Sequence, residues 1–249
     1  MAFVNPFALT DQRILITGAT SGIGYATALV CAQMGAEVIG VGRNEVRLER
    51  TQEALQEISR KPHRTIKADL TLAADRESLV ASLGSPIHGL LHSAGISRLC
   101  PVRMMSEQHL RELQSINVEA PMMLTQAILK RNLIAADGSI VFLASIAAHI
   151  GVPGVAAYSG TKAALIAMMR CLALEVIKRN IRANCLSPAL VETPLLDTAM
   201  SYLEAERKHY PLGFGKPDDV ANAAVFLLSG ASRWITGTTI VMDGGLTIS

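Results

Sequence analysis

The feature that most constrains the fold is a regular alternation of short apolar runs with longer segments of helical composition. Runs that are apolar on both faces and alternate with helices indicate a parallel sheet that is covered on both sides. We therefore predict an α/β fold with a doubly wound sheet of about seven mainly parallel strands. The predicted strands are RILIT (13–17), EVIGV (37–41), RTIKA (64–68), HGLLHS (88–93), SIVFLAS (139–145), IRANCLS (181–187) and TTIVMD (238–243).

Length and charge limit the possible architectures and partners. The chain has 249 residues, half of them hydrophobic and 18% charged, with a formal net charge of +2. This is enough for one large core, so we predict a single domain over residues 1–249. The segment at about 195–212 breaks the alternation and is predicted to be an insertion that covers the substrate. No long basic run is present, so charge gives no argument for a nucleic-acid or membrane-surface partner.

Cysteine and histidine usage argues against disulfides and bound metal. The four cysteines and six histidines are scattered and include no CxxC pair, which is typical of free thiols in a reducing compartment. The N-terminus lacks the pattern of a secretory signal. The apolar stretch 140–158 is interrupted by His149 and Pro153, which favours a strand and a loop over a spanning helix. We therefore expect a cytoplasmic protein with no membrane span and no metal site.

The first predicted strand runs directly into TGATSGIG at residues 17–24. A strand, then glycines, then a helix can hold a phosphate, because the glycines let the backbone approach and free N–H groups point at the anion. The alternative is an ordinary glycine-rich turn, since a glycine motif alone is weak evidence. Its place after strand one favours a dinucleotide site. The candidate contacts are Gly18, Thr20, Ser21, Gly22, Ile23 and Gly24.

The residue after the second predicted strand suggests which dinucleotide binds. An acidic side chain at this place would bind the adenosine ribose 2′-hydroxyl, but the sequence here is VGRN, with Arg43. A guanidinium can hold a 2′-phosphate through paired hydrogen bonds, which predicts NADP(H) rather than NAD. The alternative is a solvated loop arginine. Asp69 and Leu70, after strand three, are placed where they could contact the adenine.

A second candidate group lies in AAYSGTKAAL at residues 156–165. Tyr158 and Lys162 are four residues apart, so on a helix they share one face. A nearby ammonium favours the phenolate and would make the phenol a usable general acid or base. Ser145, at the end of strand five, could bind the same substrate oxygen. The alternative is a surface pair with no chemistry.

The glycine turn, Ser145, Tyr158 and Lys162 occur in an order and spacing that resemble the short-chain dehydrogenase/reductase family, from about residue 10 to the C-terminus. The resemblance implies a Rossmann-like fold and hydride transfer between a nicotinamide and a carbonyl or secondary alcohol. It also implies a fourth catalytic residue, Asn117, which supports a proton relay through Lys162. The further cofactor contacts that it implies are Ser93, Ala94 and Gly95 in HSAG, Tyr158 and Lys162, Pro188, and Val191 and Thr193 in SPALVETP.

The same resemblance assigns roles to the catalytic set. Tyr158 would donate the proton to a carbonyl oxygen that Ser145 holds. Lys162 would lower the pKa of Tyr158 and bind the nicotinamide ribose. The family usually has Asn-Asn-Ala-Gly where this chain has HSAG, so the contacts of those asparagine side chains are not expected here.

The resemblance leaves several substrates open. The chain looks close to the 3-oxoacyl-[acyl-carrier-protein] reductases of the family, whose acidic carrier would meet basic residues such as 130–131 and 178–179. Those residues could equally be solvated helix ends, and a sugar, polyol or other small ketone is the alternative substrate. His149 and Arg98 flank the predicted pocket and either contact substrate or make no contact. A non-catalytic dinucleotide-sensing protein is the alternative from another class.

Two predicted helices lack a clear polar face. Residues 163–177 are apolar nearly all the way round, as is much of 116–129. Such a helix must be buried on both sides, and one side can face the sheet. A second subunit is the economical cover for the other side, so we predict a homo-oligomer, and the family resemblance implies a tetramer. The alternative is a helix that its own chain covers.

Overall fold

A computed structural model of the chain describes residues 5–193 and 204–248. Its centre is one seven-stranded sheet in the order β3-β2-β1-β4-β5-β6-β7, in which all neighbours pair in parallel. This confirms the predicted doubly wound fold. The strands are β1 (Arg13–Thr17), β2 (Glu37–Gly42), β3 (Arg64–Lys67), β4 (Ile87–His92), β5 (Ile134–Leu143), β6 (Arg182–Pro188) and β7 (Thr239–Met242).

Helices cover both faces of the sheet. One buried cluster packs α3, α5 and α6 on one face, and a second packs α1 and α7 on the other. The helices are α1 (Gly22–Gln33), α2 (Glu45–Ile58), α3 (Ala73–Ser82), α4 (Glu107–Gln114), α5 (Ala120–Lys130), α6 (Ala156–Val176) and α7 (Pro217–Leu228). Among the described residues, no helix combines the length and apolar character needed to cross a membrane.

Strand β5 departs most from its prediction, because it begins at Ile134 rather than at residue 139. The pairing with β4 shifts register between Ile87 and Gly89, so an irregularity lies inside the strand. Asp137 adopts a left-handed φ of 63°, and residues 136–137 are exposed. Asp137 and Gly138 interrupt the apolar run in the sequence, although the backbone pairs with β4 on both sides of them.

Two histidines support the amino ends of the central strands. His63 Nδ1 accepts a hydrogen bond from Val38 N, and His88 Nδ1 accepts one from Arg13 N, both at 3.1 Å. An imidazole can accept at Nδ1 only when that nitrogen carries no proton. Burial lowers the pKa of both histidines below the ordinary value of 6.5, which favours the neutral rings that these bonds require.

These bonds predict a loss of stability in mild acid. A histidine whose pKa is lowered by folding contributes stability that is present above pH 6.5 and is lost as the pH falls through the folded value. We expect the free energy of unfolding in urea to fall by roughly 1–3 kcal/mol between pH 8 and pH 5, from two bonds of about 0.5–1.5 kcal/mol each. His63→Gln keeps a non-titrating acceptor and should lose part of this dependence. Equal stability at both pH values would contradict the assignment.

Candidate active site

A cleft of about 350 Å³ opens at the carboxyl ends of β1 and β4. The strand order reverses here, since β1 pairs with β2 on one side and with β4 on the other. In open α/β sheets this switch point is where ligands bind. The cleft is lined by most of the predicted cofactor contacts: Gly18, Thr20, Ser21, Gly22, Ile23, Arg43, Asp69, Leu70, Ser93, Ala94, Gly95 and Thr193.

The backbone of the glycine turn packs so tightly that Gly18 and Gly24 leave no room for a side chain. Gly18 has a φ of 68°, and a Cβ on it would lie 2.8 Å from Ala94 N. A Cβ on Gly24 would lie 2.3 Å from the carbonyl oxygen of Gly18, which is backbone and cannot move away cheaply. Gly24 is not among the residues that line the cleft. Its lack of a side chain instead lets the start of α1 pack against the backbone of the turn.

The amino end of α1 is left open toward the cleft. Ser21 is the N-cap residue, but its side chain makes no capping hydrogen bond, and the first turn contains no acidic residue. The first N–H groups of a helix have no partner within the helix and carry partial positive charge. An uncapped helix start beside exposed glycine backbone therefore fits the pyrophosphate of a dinucleotide.

Thr17 is a structural member of the site that sequence reasoning did not identify. Its buried Oγ1 accepts hydrogen bonds from Ser93 N at 3.1 Å and Ala94 N at 3.2 Å. These bonds join the end of β1 to the segment after β4 and keep the cleft walls together. The available signal was a hydroxyl residue at the end of an otherwise apolar strand, directly before the glycines.

The far end of the cleft is basic. Arg43 Nη1 lies 3.9 Å from Asp69 Oδ2, and 63% of the Arg43 side chain is exposed. Arg47 also lines the cleft, although the sequence analysis did not select it. Asn44 caps α2 by accepting from Arg47 N at 2.9 Å, which places Arg47 in the first helical turn. Two guanidinium groups therefore border this end of the cleft.

Asp69 is oriented by the loop that follows β3. Its Oδ1 accepts from Thr71 N at 3.0 Å and from Thr71 Oγ1 at 2.7 Å. The hydrogen bond from the Thr71 hydroxyl is the main reason that the pKa of Asp69 lies below its ordinary value. Asp69 is therefore a fixed carboxylate beside Arg43, and Leu70 next to it lines the cleft.

The predicted Tyr–Lys pair lies in the first turns of α6, as the spacing required. Lys162 is buried, and its Nζ donates to the carbonyl oxygen of Leu143 at 2.7 Å and lies 5.6 Å from the centre of the Tyr158 ring. A Cβ on Gly95 would be 3.5 Å from this Nζ, so the ammonium lies beside the cleft. Burial lowers the pKa of Lys162 to about 8.

The expectation for the pKa of Tyr158 was wrong. Its pKa was expected to be lowered by Lys162, but in the structure it is raised, because burial disfavours the phenolate. A hydrogen bond with Ser145 opposes this effect and lowers the pKa. Ser145 is itself buried, and its Oγ accepts from Ala147 N at 3.2 Å. Tyr158 is therefore a protonated phenol near neutral pH, which suits a proton donor better than a base.

Asn117 lies where the long helix made of α4 and α5 changes its winding. Residues Ser115–Glu119 form a π-helical turn, a rare irregularity that often occurs at functional sites. The buried side chain of Asn117 bonds both backbone groups of Ile96 at 2.9 Å, and its Nδ2 also donates to Thr161 Oγ1 at 3.1 Å. The amide thus links the cleft wall to α6, one residue before Lys162. Its role in a relay stays a prediction.

Only some of the remaining predicted cofactor contacts line the cleft. Thr193 lines the cleft, and its Cγ2 would lie 3.2 Å from a Cβ on Gly22. Pro188 and Val191 do not line it; Val191 is buried and bridges to Gly215. Of the predicted insertion, residues 195–203 lie outside the described residues. The described part of the chain has no cluster of three or more His, Cys, Asp or Glu that could hold a metal ion.

His92 stands where the family has an asparagine. Its Nε2 lies 2.8 Å from Thr125 Oγ1, whose hydroxyl donates to the Pro121 carbonyl, so Nε2 carries the proton. The ring stacks on Phe142 with centroids 4.8 Å apart, and its Nδ1 is buried without a partner. Burial lowers the pKa of His92 to about 3, so the ring is neutral.

Comparison with known proteins agrees with this geometry. The model of the family described as enoyl-(acyl carrier protein) reductase matches residues 18–247. A 3-oxoacyl-[acyl-carrier-protein] reductase of Chlamydia pneumoniae is 34% identical over 96% of this chain and 98% of its own length. A D-threitol dehydrogenase of Mycolicibacterium smegmatis is 36% identical over 97% and 95%, respectively.

A solved structure gives the same fold. It is assigned as an NAD(P)-dependent gluconate 5-dehydrogenase of Beutenbergia cavernae and contains NADP at low occupancy. It superposes with a TM-score of 0.91 at 29% identity, covering 98% of this chain and all of that one. The chain belongs to the short-chain dehydrogenase/reductase family. It is an oxidoreductase of the type that interconverts CH–OH and C=O groups with a nicotinamide dinucleotide.

Proposed function

We propose that this protein is an NADP(H)-dependent reductase that converts a ketone into a secondary alcohol. The observation that carries the proposal is the group of side chains beside the cleft. There, the Ser145 side chain is close enough to Tyr158 to lower its pKa, and the buried Lys162 lies beside Gly95. The open helix start and the closely packed glycine turn fit a dinucleotide in the same cleft.

Each residue of this group has a definite task. When bound, the nicotinamide supplies the hydride. Ser145 donates a hydrogen bond to the substrate oxygen and stabilises its developing negative charge. Tyr158, protonated because burial raises its pKa, gives its proton to that oxygen. The Lys162 ammonium is held by the Leu143 carbonyl, and it stabilises the phenolate that Tyr158 leaves behind.

The preference for NADP(H) rests on the basic end of the cleft. Arg43 and Arg47 border it, and Asp69 is directed at Arg43 from the loop after β3. Within the described residues, the Arg47 side chain makes no ion pair, so it is available to an incoming phosphate. Structures described as containing NADP occur among the similar proteins, which supports the same choice.

The substrate class is proposed from the surface before α6. Leu99 is 78% exposed, and Val152 and Ile150 are also exposed. Cys100 N donates to the Gly154 carbonyl at 2.7 Å, which joins this apolar segment to the loop that leads to Tyr158. Exposed apolar side chains beside the loop that leads to Tyr158 favour an acyl chain over a sugar, so a 3-oxoacyl thioester is the first candidate. A sugar or polyol is the second, because such dehydrogenases occur among the relatives.

The basic residues that could meet a carrier protein differ in their surroundings. Lys130 and Arg131 are exposed at the end of α5, where an acidic carrier could reach them. Arg179 is engaged, because its Nη2 donates to the Ile134 carbonyl at 2.5 Å and its Nη1 to Asn132 Oδ1 at 3.4 Å. Free thioesters therefore test the chemistry independently of any carrier.

An activity panel tests the function directly. NADPH and NADH oxidation should be followed by absorbance with a 3-oxoacyl thioester, a keto sugar and a simple diketone. We expect turnover of the thioester with NADPH. Activity on the sugar alone would keep the mechanism and replace the substrate class. Tight NADPH binding without turnover of any ketone would contradict the enzyme proposal and favour a dinucleotide sensor.

We propose further that the protein works as a cytoplasmic homotetramer built partly on the outer face of α6. Leu174 is 75% exposed there, and Met168 and Cys171 are exposed beside it. Met168 and Cys171 line a shallow, mostly apolar groove together with Met122 of α5, and Leu174 lies three residues beyond Cys171 on the same helix. Uncovered apolar surface of this kind is typical of a subunit interface.

Leu174→Glu should therefore dissociate the oligomer. A buried, unpaired carboxylate at a packed interface costs several kcal/mol, enough to reduce association by a factor on the order of 10³. Light scattering coupled to size-exclusion chromatography would measure the mass. Leu72→Glu, an exposed leucine at the start of α3, is the matched control and should leave the mass unchanged. A monomeric wild-type protein would refute the interface.

A further inference from the structure

One side-chain contact crosses the carboxyl edge of the sheet and takes no part in the proposed proton transfer. His149 Nε2 lies 2.9 Å from Ser187 Oγ. His149 follows β5 and is exposed, whereas Ser187 is fully buried near the end of β6. The backbone pairing between these strands has ended by this point, since its last residue pair is Leu143 with Leu186. The contact therefore extends the β5–β6 connection beyond the sheet.

The turn between Ser145 and His149 is short and internally bonded. Ala148 N donates to the Ser145 carbonyl at 3.0 Å, and His149 N donates to the Ile146 carbonyl at 2.8 Å. Ser145 caps the start of this turn, because its Oγ accepts from Ala147 N at 3.2 Å, and its side chain is the one that lowers the pKa of Tyr158. A displacement of His149 would thus be passed through one tight turn to the Ser145 hydroxyl.

The protons on this contact follow from the burial of Ser187. Within the described residues, His149 Nε2 is the only hydrogen-bond partner of the Ser187 hydroxyl. A buried hydroxyl that donates to nothing is costly, so Ser187 donates and His149 Nε2 accepts. The contact therefore requires a neutral His149 with its proton on Nδ1.

We propose that the His149–Ser187 hydrogen bond is a positioning contact that holds the Ser145 turn against β6 and keeps the Ser145 hydroxyl at Tyr158. His149 and Ser187 are then positioning residues, and neither touches the reacting atoms. Ser187 also directly precedes Pro188 in the chain. The contact therefore joins the turn from Ser145 to His149 to the segment that is predicted to border the nicotinamide. The inference rests on the proposed function only for its effect on turnover; its effect on Tyr158 is independent of any substrate.

The substrate-free test follows the titration of Tyr158. The chain has four tyrosines, so 3-fluorotyrosine incorporation gives four ¹⁹F NMR signals, and Tyr158→Phe identifies the one of interest. The Ser145 bond lowers the pKa of Tyr158, so Ser145→Ala should move the titration midpoint upward. His149→Ala and Ser187→Ala should move it upward as well, and the double variant should move it no further than either single change.

Matched variants separate positioning from general structure. His149→Gln retains an acceptor for the Ser187 hydroxyl and should restore much of the wild-type midpoint. Ser139→Ala removes another fully buried serine hydroxyl, which donates to the Leu227 carbonyl at 2.7 Å. This bond lies away from the site, so the substitution should not move the midpoint. His149 is exposed, so its substitution is expected to leave the protein folded, which circular dichroism would verify.

The outcomes separate this proposal from the proposed function. If Ser145→Ala raises the midpoint and both His149→Ala and Ser187→Ala leave it unchanged, the positioning proposal is overturned. It is also overturned if Ser145→Ala has no effect, because Ser145 then does not bond Tyr158. With the panel ketone that the wild type reduces fastest, His149→Ala should lower kcat on the order of tenfold and leave the Kd for NADPH unchanged. A wild type that reduces no ketone but shows the expected titrations would refute the function alone.

Discussion

Tyr158→Phe should lower kcat for ketone reduction by a factor on the order of 10³, because general acid catalysis contributes roughly 10²–10⁴ in rate. The change removes only the phenolic hydroxyl and keeps the ring that packs near Lys162. NADPH binding should persist, since the glycine turn and the amino end of α1 are untouched. Steady-state kinetics and NADPH fluorescence titration would measure the two effects separately.

The matched control is Tyr25→Phe, which removes a phenolic hydroxyl from α1 outside the lining of the cleft. It should leave kcat within about twofold of the wild type, as expected for a substitution away from the reacting groups. Normal turnover by Tyr158→Phe would show that another group donates the proton. Loss of NADPH binding together with activity would mean that Tyr158 acts mainly through the cofactor.

Arg43→Ala should weaken NADPH binding by roughly 10–100-fold and leave NADH binding nearly unchanged. Hydrogen bonds to charged groups contribute about 1.5–3 kcal/mol, and each 1.4 kcal/mol is a factor of ten in affinity. The variant also leaves Asp69 without the guanidinium at 3.9 Å, so its carboxylate would repel a 2′-phosphate. Because NADH has no phosphate at this place, it should experience neither effect.

Arg47→Ala tests the second guanidinium of the same end of the cleft. It should reduce NADPH affinity by a smaller factor than Arg43→Ala does, and the double variant should bind the two cofactors almost equally. Isothermal titration calorimetry at two salt concentrations would measure all four proteins, because charge-based discrimination should weaken as salt increases. Equal losses of NADPH and NADH affinity in Arg43→Ala would contradict the phosphate assignment.

The fold could be predicted in most of its elements because its signals are local. The apolar runs locate six of the seven strands within about one residue at either end, since buried parallel strands are apolar on both faces. The glycine turn was equally clear, because Gly18 and Gly24 lie where the backbone excludes any side chain. Strand β5 was placed less well, since Asp137 and Gly138 interrupt its apolar pattern and hide its beginning.

The placement of the predicted site residues could be anticipated from the sequence better than their pKa values. The spacing of Tyr158 and Lys162 requires one helix face, and the structure shows this. The raised pKa of Tyr158 depends on burial by distant parts of the chain, which the spacing of two residues does not reveal. Thr17 and Arg47 were missed for a similar reason, because their partners or their place in the cleft come from tertiary packing.

The most direct test of the central claim is to follow the hydride. The wild-type protein would be incubated with NADPH that carries deuterium at the transferable position, together with each ketone of the panel. We predict that one product alcohol gains a single deuterium on its carbinol carbon, detected by mass spectrometry, and that Tyr158→Phe gives almost none. Tight NADPH binding with no deuterium in any product would contradict the proposal that this site reduces ketones.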